Sequence, residues 1–140
     1  MKLFEVYPLF DLTLTKAEFA YVWSEQGEKY LDFYGGHAVI SIGHNHPEWV
    51  KNIEFQMKEG ISFFSNSVKL PIQNILAEKL GKISGYEDYH LFLVNSGAEA
   101  NENAIKIASF HNGRKKIISF KGAFHGRTAA SVAPTDNKKI

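Results

Sequence analysis

Residues 91–108 read LFLVNSGAEANENAIKIA. The stretch begins as an apolar run, turns at Asn95-Ser96-Gly97-Ala98, and leaves as alanines and isoleucines at helical spacing. Residues 90–94 (HLFLV) have the length and content of a buried strand. Residues 97–110 place Ala104, Ile105 and Ala108 on one helical face. Residues 115–120 (KKIISF) offer a second short apolar strand. Strand, helix and strand within about 30 residues is the parallel crossover unit. The expected class is therefore α/β with a mostly parallel sheet.

A helix that starts directly after a parallel strand aims its unpaired N–H groups at the carboxyl edge of the sheet. Those donors and the helix dipole favour an anion, above all a phosphate. Ser96 can cap the helix, Gly97 lets the backbone approach a ligand, and Ala98 keeps the mouth narrow. The same residues also read as a capping box, with Ser96 followed three residues later by Glu99. Both readings stand on the sequence. Glu99 and Glu102 suit a helix start through the dipole. The stretch lacks the glycine spacing of a dinucleotide fingerprint and the glycine–lysine pair of a P-loop.

A second loop, FKGAFHGRTAA at 120–130, follows the second expected strand. Phe124 offers a stacking face and Arg127 a bidentate fork for a carboxylate, with Gly122 and Gly126 as hinges. Arginine occurs only at 114 and 127. A flat, phosphorylated ligand would suit the two corners together. On the bland reading, Phe124 caps the core and Arg127 is solvated.

Upstream, residues 19–33 read as a hairpin around Ser24–Glu28, where Gly27 can take positive φ. YGGHAVISIGHNHPEW at 34–49, with glycines 35, 36 and 43, reads as loop with a short extended piece. Helices are expected from Pro47 to Gly60, with Val50, Ile53 and Met57 inward, and from Pro71 to Gly85, with Ile72, Ile75, Leu76, Leu80 and Ile83 inward. His44 and His46 could share a strand face as metal ligands, but no third ligand is evident, and no metal site is expected. Asp32 and Glu48 read as solvated surface. A length of 140 residues allows one domain with a sizeable core. Net charge +1 favours neither nucleic acid nor an anionic membrane. The absence of cysteine excludes disulfides and thiolate chemistry. No leader or spanning segment is read in the first residues, and a cytoplasmic location is expected.

NSGAEANENAIKIA at 95–108 followed by FKGAFHGRT at 120–128 resembles the class III, pyridoxal-phosphate-dependent aminotransferases of fold type I. YVWSEQGEKYLDFYGGHAVISIGHNHPEWVKNI at 21–53 is similar to that family's amino-terminal hairpin and glycine-rich segment. The resemblance implies a partial fold, with residues 1–50 a piece of the small domain and 51–140 the truncated start of the large, cofactor-binding domain. It implies that Ser96, Gly97 and Ala98 hold the pyridoxal 5'-phosphate tail. Phe124 would stack on the ring, and Arg127 would take the substrate carboxylate. His125 and Gly126 would shape the turn. Gly35, Gly36 and the region of Asn66 would lie near a homodimer interface.

The activity it implies is transfer of an amino group from N-acetylornithine, or a similar ω-amino donor, to 2-oxoglutarate in arginine biosynthesis. The family's Schiff-base lysine and the aspartate facing the pyridine nitrogen match no position here, and Lys121 does not stand in for the lysine. The chain alone is thus expected to hold no catalytic residue and to be inactive. The alternatives are a non-catalytic module for a phosphorylated ligand, or a class III enzyme acting on ornithine or 4-aminobutyrate.

Overall fold

The computed structural model describes residues 1–4, 6–65 and 67–137. The chain divides into two compact units, Met1–Val68 and Lys69–Ile140.

In the first unit three strands, β1 (Leu14–Glu18), β2 (Tyr21–Ser24) and β3 (Lys29–Leu31), form an antiparallel sheet in the order β1-β2-β3. The expected hairpin is β2–β3, with Val22 opposite Tyr30 and Gly27 at φ 83 in the turn. Alternation along β2 sends Val22 and Ser24 inward and Tyr21 and Trp23 to the other face. There the Lys29 ammonium lies 3.8 Å from the Tyr21 ring centroid, and that of Lys16 lies 4.6 Å from the Trp23 ring. β1 is an addition to the sequence reading. It is short and polar, and its turn into β2 uses Phe19 at φ 47 in place of a glycine.

The glycine-rich segment is more ordered than a loop. Gly35–Ala38 (α1) is a single turn in which all four residues take φ between 53 and 61. Asp32 holds its entry. One carboxylate oxygen accepts from the N–H of Tyr34 at 2.9 Å and of Gly35 at 2.8 Å, and the other meets His44 Nε2 at 2.8 Å. Asp32 is thus no solvated surface group, as the sequence reading had it. The Gly35 N–H, followed by His44, keeps its carboxyl below the usual range. His44 also exchanges backbone hydrogen bonds with Phe19 at 2.8 and 2.9 Å. His44 is therefore a staple between the β1–β2 turn and the entry of α1. α2 (Pro47–Glu59) follows, opened by Pro47.

In the second unit α3 (Pro71–Ser84) ends at Gly85, which takes the left-handed conformation. α4 (Gly97–Asn112) ends likewise at Gly113. α5 (Ala129–Val132) is a four-residue turn absent from the sequence reading. Residues 90–94 and 115–120, expected as parallel strands, form no ladder among the described residues. A strand exists only through its neighbours' hydrogen bonds, and these two segments do not pair with each other.

The sizeable core expected from chain length is not found among the described residues either. Val22 is the one buried large apolar side chain among the described residues. The apolar faces of α2 and α3 carry the anticipated residues but stay uncovered, with Ile53 44% and Leu80 42% exposed. Helical patterning creates such a face, and burial needs a second layer against it. No helix among the described residues is long and apolar enough to cross a membrane.

Gly43, at φ 89, passes so close to the β1–β2 turn that a Cβ there would lie 3.0 Å from Phe19 Cα. Gly43→Ala is expected to destabilise the protein by about 1–3 kcal/mol. The readout is the urea midpoint at unchanged m value, and an unshifted midpoint would show that the segment has room to relax.

Candidate functional site

The first corner is the start of α4. Ser96 is its N-cap, in extended conformation, and Ser96 Oγ accepts from the Glu99 N–H at 3.2 Å. The Glu99 carboxylate reaches back to the N–H of Asn95 at 2.7 Å, one residue before the cap. A capping box is therefore present, displaced by one residue on its return arm. It uses the N–H groups of Asn95 and Glu99 and leaves those of Gly97 and Ala98. These lie in the first turn, where no intrahelical acceptor exists, and no bond to another described residue uses them. Ser96 Oγ, accepting one bond, still has its own proton to donate. The two sequence readings of this corner are thus compatible. A Cβ on Gly97 would meet nothing within 4 Å, so the approach to these donors is open.

The second corner is held against one face of α4. Ala98, Asn101 and Glu102 share that face by their spacing of three and four. A Cβ on Gly126, whose φ is 134, would come within 2.5 Å of Ala98 Cβ and of Ser131 Oγ. Gly126 is accordingly a buried packing point, not the hinge expected from sequence. Asn101 Nδ2 donates to the His125 carbonyl at 2.7 Å. The His125 N–H donates to Thr135 Oγ1 at 2.9 Å, and the Gly122 N–H to the Asp136 carboxylate at 2.8 Å. Glu102 takes the far end of the loop. Its carboxylate accepts from Thr128 Oγ1, from the Ala130 N–H at 3.0 Å and from the Ser131 N–H at 3.3 Å. The Thr128 hydroxyl, followed by these backbone donors against a desolvation cost, depresses the Glu102 carboxyl below its ordinary value.

Ser96, Gly97 and Ala98 from the first corner and Phe124 and Arg127 from the second line one cleft of about 450 Å³. All five site residues expected from sequence therefore meet. Asn101, His125 and Gly126 complete the lining, and Lys121 is not part of it. Phe124 is 58% exposed, leaving a ring face available. His125 Nε2 is buried with no hydrogen-bond partner among the described residues. Sequence reasoning missed Asn101, Glu102, Thr135 and Asp136, which hold the second loop. One signal was legible: Thr128 and Ser131 form a reciprocal cap at the start of α5.

Comparison with known proteins identifies the family. The family model for class III aminotransferases matches residues 5–140. The chain is 44% identical over 139 residues to the LysW-aminoadipate semialdehyde/glutamate semialdehyde transaminase of Sulfolobus acidocaldarius, covering 99% of this chain and 36% of that protein. It is 41% identical over 140 residues to the acetylornithine aminotransferase of Halalkalibacterium halodurans, covering 99% of this chain and 35% of that protein. Among solved structures, the taurine:2-oxoglutarate aminotransferase of Bifidobacterium kashiwanohense, in complex with PLP and glutamate, superposes with a TM-score of 0.83 at 29% identity. That match covers 91% of this chain and 29% of that one. The chain spans about a third of the length of the relatives it matches.

The chain belongs to the class III aminotransferases, pyridoxal-phosphate-dependent transaminases of fold type I. Its residues fit that cofactor. Two N–H donors at a helix start, an open approach over Gly97 and an exposed aromatic face suit a phosphorylated aromatic ring.

Two outcomes follow. Gly126→Ala is expected to push the loop off α4 and to cost about 2–4 kcal/mol, read by chemical denaturation. The native pKa of Glu102 lies below its value of 4.5 in the absence of partners. Its stabilisation is therefore complete above about pH 4.5 and is lost as pH falls through the native value. Amide-exchange protection at Ala130 and Ser131 should persist down to that range and collapse below it. Protection that fades between pH 7 and 5 would contradict the assignment.

Proposed function

We propose that the protein carrying this chain transfers the terminal amino group of an ω-amino donor to 2-oxoglutarate, with N-acetylornithine the first candidate donor and arginine biosynthesis the setting. The observation that supports this reading is the single cleft shared by the free N–H pair of α4, the Phe124 ring and Arg127. In it, Gly97 and Ala98 bind the cofactor phosphate through backbone N–H groups, with the Ser96 hydroxyl as a further donor. Phe124 packs against the ring and fixes its plane. Arg127 takes the substrate carboxylate in a bidentate pair, which orients the donor. Pyridoxal phosphate supplies the electron sink for the reaction. We read residues 1–50 as small-domain and 51–140 as the start of the cofactor domain, in a cytoplasmic homodimer.

A second reading has specific support. The 44% identical relative is named for LysW-linked semialdehydes. Both names describe amine or aldehyde chemistry at the far end of an amino-acid derivative, so the proposed cleft roles serve either donor.

The test uses full-length protein assayed with N-acetylornithine, ornithine, 4-aminobutyrate and a LysW-linked donor, each against 2-oxoglutarate. A preference for the first supports the acetylornithine reading, and turnover with the LysW-linked donor alone transfers it to the second. No turnover together with retained binding of pyridoxal phosphate would favour a non-catalytic binder. Arg127→Ala should raise the donor KM at least about tenfold while leaving cofactor affinity within about twofold. Phe124→Ala should raise the cofactor Kd about tenfold. The opposite pattern, cofactor lost in Arg127→Ala and retained in Phe124→Ala, would reverse the two roles.

A further inference from the structure

The loop from Gly122 to Ser131 is fastened to the rest of its unit in two separate places. Its first half, which carries Phe124, is held by Asn101 on the His125 carbonyl, by Thr135 on the His125 N–H and by Asp136 on the Gly122 N–H. Its second half is held by Glu102, which gathers the Thr128 hydroxyl and the N–H groups of Ala130 and Ser131. Ser131 is fully buried, and its hydroxyl accepts from the Thr128 N–H at 3.1 Å, so Thr128 is fixed through backbone and side chain alike. Arg127 stands between the two fastenings, next to Thr128.

We propose that Glu102 is a positioning residue for substrate-carboxylate recognition. It fixes the backbone on the carboxyl side of Arg127 to the same helix whose first turn cradles the phosphate. Asn101, one residue earlier on that helix, does the corresponding work for Phe124 and the cofactor ring. The inference rests on the reading that Arg127 takes the substrate carboxylate. The helix acts as a ruler: adjacent residues of one turn set two loop segments with different tasks. Loss of either fastening should then loosen one task and spare the other. A merely structural carboxylate would weaken both together.

The experiment compares Asn101→Ala, Glu102→Ala and Thr128→Val with wild type in the full-length holoenzyme. It measures the cofactor Kd by absorbance titration, the donor KM and kcat, and amide exchange at Ala130 and Ser131. Glu102→Ala should raise the donor KM about tenfold with the cofactor Kd within about twofold, and should deprotect both amides. Asn101→Ala should raise the cofactor Kd by a factor of about three to ten and leave donor KM nearly unchanged at saturating cofactor. Thr128→Val should raise KM by about threefold, Thr128→Ser should restore it, and Glu102→Ala/Thr128→Val should be no worse than Glu102→Ala alone.

If Glu102→Ala raises Kd and KM in parallel, or leaves KM unchanged while Arg127→Ala raises it, the positioning role is overturned and the role of Arg127 survives. If Arg127→Ala itself leaves KM unchanged, the carboxylate reading falls and the proposal falls with it. Should Glu102→Ala fail to fold, the Thr128→Val and Thr128→Ser pair decides the matter: equal KM values for the two overturn the clamp.

Discussion

One face of α4 holds the second corner. Ala98 receives Gly126 at a distance that admits no Cβ, Asn101 takes the His125 carbonyl, and Glu102 closes on Thr128, Ala130 and Ser131. Helical geometry brings residues three and four apart onto one stripe, so these contacts need no further scaffold. They set Phe124 and Arg127 in one cleft with the first turn of the same helix. Sheet strands position such loops in a complete α/β layer. Here the grip is intrinsic to the helix and loop, and the cleft is formed although residues 90–94 and 115–120 find no strand partner among the described residues.

The acidic pair that follows the first corner divides its work. Glu99 is local: it completes the cap with Ser96 and leaves the N–H groups of Gly97 and Ala98 outside it. Glu102 is tertiary and serves the other corner. The dipole argument accounts for the tolerance of both carboxylates at a helix start, and hydrogen-bond geometry separates them. A cap that used the Gly97 or Ala98 N–H would have occupied those donors. The displaced return arm of Glu99, reaching Asn95, avoids that conflict.

What was legible in the sequence is what depends on local chemistry. Pro47 and Pro71 at first turns, Gly60 and Gly85 after last turns, Ser96 as a cap and Gly27 in a hairpin each act through their own backbone, and each element stands where these residues put it. The five cleft residues were legible because small residues at a helix start and an aromatic–arginine loop carry their chemistry on their faces. The misses share a cause. β1 turns on a non-glycine residue at positive φ, α1 is a turn with positive φ throughout, and Asp32 is stapled across twelve residues to His44. The parallel ladder and the core require layers that local patterning cannot provide. Glu102 reads only as an acid suited to a helix start and Asn101 carries no signal of its own, because their partners lie 24 to 29 residues away.

The choice of a carboxylate at position 102 has its own logic. All three of its partners are donors: a hydroxyl and two backbone N–H groups. An amide side chain would turn one of its two heavy atoms into a further donor, and a hydroxyl would reach less far. All three bonds converge on one oxygen, Oε2, where an ionised carboxyl is the stronger acceptor and offers no competing proton. The same donors keep it ionised, since each favours the charged form. Its negative charge is met by these dipoles within the clamp.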